Sequence, residues 1–60
     1  MNLNLIKGNL YQRNDHLLIF LGDIIEKYGG GWVWYEYKFL YGKNIIYIHE
    51  DLVKDLKEIL

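Results

Sequence analysis

The chain reads as a mostly β domain with a C-terminal helix, either a small SH3-like barrel or a curved antiparallel sheet. Three observations carry this reading. Residues Trp32 to Leu40 are dense in aromatic and β-branched side chains, which suit a pleated surface. Gly42-Lys43 follows as a two-residue turn signal, and Ile45 to Ile48 can return beside the first strand. The last eleven residues instead place their apolar side chains at helical spacing.

The N-terminal third is expected to hold a strand at Asn2 to Ile6, a break at Lys7-Gly8, and a strand at Leu10 to Arg13. Asn14-Asp15 is a turn signal. Residues 16–28 admit two readings. As a helix, Leu17, Leu18, Leu21, Ile24, Ile25 and Tyr28 share one stripe between an Asn14 cap and a Gly29 stop. The fold would then be α+β, β-α-β-β-α, with a helix at about 15–28. As strands, Leu17 to Leu21 pairs back onto Leu10 to Arg13, Gly22-Asp23 makes a bend or bulge, and Ile24 to Lys27 leads into the glycine turn.

The hairpin has a definite register. A loop at Gly42-Lys43 sets Tyr41 opposite Asn44, Phe39 opposite Ile46 and Tyr37 opposite Ile48. One face is then Val33, Tyr35, Tyr37, Phe39, Ile46 and Ile48, and the other holds Trp32, Trp34, Glu36, Lys38, Tyr47 and His49. A slip of one residue would mix the two sets. A helix is expected over Glu50 to Leu60, with Leu52, Val53, Leu56, Ile59 and Leu60 as its stripe. Glu50 and Asp51 suit its first turn, and Glu50 and Lys54 form an i,i+4 pair. A helix this short needs the sheet to be stable.

Composition limits the chemistry. The 60 residues form one small domain, 1–60, and include no Ala, Ser, Thr, Pro or Cys. That removes disulfides, thiolate metal sites, hydroxyl nucleophiles of the serine-hydrolase kind, thiol nucleophiles, and the phosphate loop that ends in Ser or Thr. The net charge of −1 argues against a strongly basic nucleic-acid surface. The longest wholly apolar run, Leu17 to Leu21, is far short of a membrane span, and Met1 to Asn4 lacks the features of a secretory leader. A cytoplasmic protein is expected. Ile, Lys, Asn, Tyr and Phe supply 27 residues against 7 Gly and Arg, a bias towards AT-rich codons that suits a phage or other mobile element.

Lys7-Gly8-Asn9-Leu10-Tyr11, Leu18 to Ile24, the Trp-rich strand and Tyr47-Ile48 together resemble small SH3-like barrels encoded by phages. Those begin with a Lys-Gly-x-Leu-Tyr strand and end in a short helix. The resemblance implies a non-enzymatic module that binds a host or phage protein and alters its activity.

The partner-binding candidates are Trp32, Trp34, Glu36, Lys38, Tyr47 and His49. Flat aromatics beside a cation can fill pockets on a protein or stack on bases. Their availability depends on the helix: if it covers this face, both Trp residues are core. Glu36 and His49 face each other and could act as an acid/base pair, or form an ordinary cross-strand charge pair. Asp15, His16 and His49 have no recognisable metal-ligand spacing. Gly29-Gly30-Gly31 precedes a strand rather than a helix, so it reads as a turn and not a phosphate cradle.

The expected function is therefore protein binding, with no catalytic residues, metal or cofactor and no membrane role. Homodimerisation through the same patch or an open strand edge is a variant. The alternative is a small nucleic-acid-binding barrel using the sheet aromatics with Arg13, Lys38 and Lys43, the other basic candidates being Lys7 and Lys27. Binding of that kind would depend steeply on salt.

Overall fold

Turn residues divide the described part of the chain into five strands and one short helix. The computed structural model describes residues 5–59. In chain order these are β1 (Leu10–Arg13), β2 (His16–Gly29), β3 (Trp32–Tyr41), β4 (Asn44–His49), α1 (Glu50–Val53) and β5 (Lys57–Ile59). They form one antiparallel sheet in the order β4-β3-β2-β1-β5. Its edges, β4 and β5, do not pair with each other. The sheet is curved but not closed.

The segment 16–28 is strand, which overturns the α+β alternative. His16 to Ile19 pairs with β1, and the rest of β2 pairs with β3. The bulge lies at the Gly22-Asp23 bend. Phe20 faces Phe39 but Ile24 faces Tyr37, so four steps on β2 (20 to 24) match two on β3 (37 to 39). Gly22 sits there at φ 94°, where an L side chain is strained. The surplus is even, so inward and outward positions stay in phase across the bend.

The β3–β4 hairpin has the register read from the sequence: Phe39 faces Ile46, Tyr37 faces Ile48 and Glu36 faces His49. Its Tyr37-Phe39-Ile46-Ile48 face lies on the core. Buried Tyr11, Leu18, Phe20, Phe39, Ile48 and Val53 form one cluster, flanked by Leu5, Tyr37, Ile46 and Leu56. Phe39 is at its centre with no exposed surface. The Phe39 ring meets Tyr11 edge-on at 6.3 Å and Phe20 tilted at 5.3 Å. The Tyr11 hydroxyl accepts the Ile6 N–H at 2.8 Å, which ties the incoming chain to the core.

The C-terminal helix is shorter than the expected Glu50–Leu60. It stops at Val53, and the Asp55 and Leu56 N–H groups donate three residues back, to Leu52 and Val53, in tight turns. Lys57–Ile59 then becomes a strand, with Leu10 facing Ile59 and Gln12 facing Lys57. The reason is the outer edge of β1. Without β5 those backbone groups would face solvent, and a returning strand pairs with them where a helix could not. Val53 still reaches the core and Leu56 packs against it, so the apolar stripe keeps its inner members while the backbone changes. At the other end, residues 2–4 of the expected Asn2–Ile6 strand lie outside the described residues, and Leu5 and Ile6 are not in a strand. No helix among the described residues is long and apolar enough to cross a membrane.

Candidate functional site

The helix does not cover the Trp-bearing face. Because α1 is a single turn directed at Phe39 and Ile48 through Val53, it closes one end of the core and leaves the opposite sheet face open. Trp32 is 76% exposed and Trp34 is half-buried. The two alternate with Val33 along β3 and so share one side.

Trp34 is held on three sides. Its indole N–H donates to Glu36 Oε2 at 3.1 Å. Its ring lies nearly parallel to the His49 imidazole, at 18° and 6.2 Å between centroids. Its far edge passes over Gly29, so closely that a Cβ there would come within 3.1 Å of the ring. Gly29 is thus the last residue of β2 rather than part of the turn, which is Gly30-Gly31, and its missing side chain makes room for the indole. His49 is fixed in turn, since its Nδ1 accepts the Asp51 N–H at 3.0 Å as the cap of α1. That bond requires an unprotonated Nδ1 and sets the tautomer.

Glu36 and His49 face each other as the register predicts, yet they form no mutual hydrogen bond or ion pair. Glu36 is engaged by Trp34, and His49 by the Asp51 N–H. Nor do Glu50 and Lys54 pair. Glu50 Oε1 instead accepts the Tyr35 backbone N–H at 3.0 Å, satisfying a donor on the edge of β3.

These contacts shape a groove of about 680 Å³ whose walls include Trp32, Trp34, Glu36, His49, Glu50 and Asp51. Four of the six predicted site residues are therefore brought together. Tyr47 and Lys38 are not among them. Tyr47 lines a neighbouring cavity of about 470 Å³ on the other side of Glu36 and His49. Lys38 turns to Asp23 in the β2 bend, with Nζ 3.4 Å from the carboxylate. Sequence reasoning missed Glu50 and Asp51 as wall residues. Their position directly after the strand residue His49 was the available signal, but they were assigned only to the helix N-terminus.

Elsewhere, His16 Nδ1 lies 2.7 Å from the Tyr41 hydroxyl, their rings edge to face. No group of three His, Asp or Glu among the described residues is placed to hold a metal. On the inner side of β2 and β3, the Tyr35 hydroxyl donates to Glu26 Oε2 at 3.2 Å. That hydrogen bond and the negative charge of Glu26 raise the Tyr35 pKa above its ordinary value. Burial, and then the charge of Glu50, raise that of Tyr37. No family model, no curated protein and no solved structure matches this chain.

Proposed function

We propose that this chain is a non-enzymatic protein-interaction module, of phage or mobile-element origin, that binds a host or phage protein through the Trp32–Trp34 face. The observation that carries the proposal is the position of the two Trp residues. They stand on an open sheet face beside a groove, one of them three-quarters exposed and the other fixed by neighbours. An exposed aromatic group supported by a rigid strand is the usual anchor of a protein contact, because it buries large area with little loss of side-chain freedom. The cytoplasm is the proposed place of action, since small secreted domains are typically stapled by disulfides and this chain has no Cys.

The surroundings favour protein over nucleic acid. Carboxylates flank the Trp pair, and Lys38, the cation expected beside it, is paired with Asp23. A phosphate backbone would meet repulsion there. The test is affinity capture from host lysate with nuclease, at low and high salt. It compares the native chain with Trp32→Ala/Trp34→Ala, each checked for folding by circular dichroism. A protein retained through nuclease and salt, and lost with the folded double variant, is the expected result. Capture that survives loss of both Trp residues, or of nucleic acid that salt removes, overturns the proposal.

A further inference from the structure

We infer that the groove takes an arginine side chain from an extended segment of the partner, with the guanidinium against the indoles and its N–H groups directed at the carboxylates. This rests on the reading of the Trp face as the contact surface and specifies what that surface recognises.

Three features of the groove support it. The first is charge. Glu36, Glu50 and Asp51 line it, and no Lys or Arg does. A cation does stand beside it in the sheet: Lys27, exposed and opposite Trp34 in register on the same face. The second is shape. Trp32 and Trp34 are two residues apart on one strand, so they share a face, and both line the groove with flat indoles beside the carboxylates. A planar cation can lie against an indole and still reach a carboxylate. The third is fixity. Trp34 is held by Glu36, His49 and the space above Gly29, so this indole needs little ordering when a ligand arrives.

Aromatic faces attract cations through the ring quadrupole, and Trp does so most strongly. The combination of indole and carboxylate favours arginine over lysine. Guanidinium is planar and stacks, it is weakly hydrated, and its fork of donors matches a carboxylate, whereas an ammonium is a compact and strongly hydrated point charge.

The experiment uses three acetylated and amidated pentapeptides, Gly-Gly-X-Gly-Gly, where X is arginine, citrulline or lysine. Citrulline keeps the shape of arginine and removes its charge. Binding is read at low salt from the indole N–H resonances of Trp32 and Trp34. The arginine peptide is expected to bind about tenfold more tightly than the citrulline peptide, and more tightly than the lysine peptide.

Glu36→Gln keeps a carbonyl acceptor for the Trp34 N–H while removing the charge. With Asp51→Asn it is expected to weaken arginine binding about threefold or more. Lys27→Gln, which removes the competing cation, is expected to tighten it. Equal binding of arginine and citrulline, equal binding of arginine and lysine, or indifference to the carboxylate variants overturns the inference. So does failure of all three peptides to bind. If such a failure accompanies Trp-dependent capture from lysate, the protein-interaction reading stands and only the arginine assignment falls. Capture that ignores the Trp pair removes the reading and the inference together.

Discussion

The two ends of the sheet differ in width. Around Phe39 the sheet has strands on both sides of β2 and β3, and α1 caps the layer beneath. Beyond the Gly22 bend, over Glu26–Gly29 and Trp32–Tyr35, it is only two strands wide. The wide end buries the aromatic residues of its inner face, Tyr11, Phe20 and Phe39. The narrow end leaves Tyr28, Trp32 and Val33 more than half exposed. Sequence composition is similar in the two regions, so hydrophobicity alone does not decide which side chains are covered. On the inner face the number of neighbouring strands does, because each added strand supplies another row of side chains to that face.

The largest test of this contrast is a pair of truncations. Phe39→Ala removes a side chain with no exposed surface and is expected to cost about 3–5 kcal/mol. A core this small supplies only about 3–5 kcal/mol in total, so the variant should be largely unfolded. Tyr28→Ser, at 71% exposure, should change stability by about 0.5 kcal/mol or less. Urea denaturation followed by circular dichroism measures both. Comparable losses would mean that the narrow end has a covering of its own.

The bend between the two regions comes next. Gly22→Ala forces a Cβ onto a backbone at φ 94° and should destabilise by about 1–3 kcal/mol. The Cβ would also come 2.9 Å from the stem of Lys7, a flexible side chain that can move. Adding Lys7→Ala should therefore restore little, and full rescue would show that crowding rather than φ requires the glycine. A smaller effect is expected in hydrogen exchange. The paired amides of residues 26–29 and 32–35 should open at lower free energy than those beside Leu18 and Phe39. Uniform protection across β2 would remove the distinction.

The smallest effect is alkaline. Tyr35 and Tyr37 both have folded pKa values raised above the ordinary 10.0. Below that value both are neutral whether the chain is folded or not, and their contribution is complete. As pH rises above it, the unfolded chain loses these protons first. Stability then declines until the folded phenols ionise as well. Absorbance titration of phenolate should show a late component. Tyr37→Phe should reduce it, and Tyr35→Phe should remove the part due to Glu26.

The hairpin was legible because its residues sort by parity. Aromatic and β-branched side chains alternate with charged ones closely enough that a single register separates them. The segment 16–28 was harder. Its helical stripe is divided by the strand, with Leu18 and Ile24 facing inward and Leu17 and Ile25 outward. Leu17 is half exposed as a result, an outcome that no pattern of buried residues anticipates. The three residues Lys57–Ile59 carried too short a signal to compete with the apolar spacing around them, and only the open edge of β1 determined their state. At the site, the Trp pair was visible from its alternation. The roles of Gly29, Glu50 and Asp51 depended on how three separate elements meet.

The pairing of β5 with β1 has a consequence for the order of folding. Its contacts join opposite ends of the described chain, as in the 2.7 Å bond from the Asn9 amide to Glu58, 49 residues away. The turn between β3 and β4 closes over two residues. Loop-closure entropy rises with the logarithm of loop length, so the local hairpins should assemble first and β5 should arrive last. Ile59→Val should then leave the folding rate nearly unchanged and accelerate unfolding. A slowed folding rate would place this distant pairing in the nucleus instead.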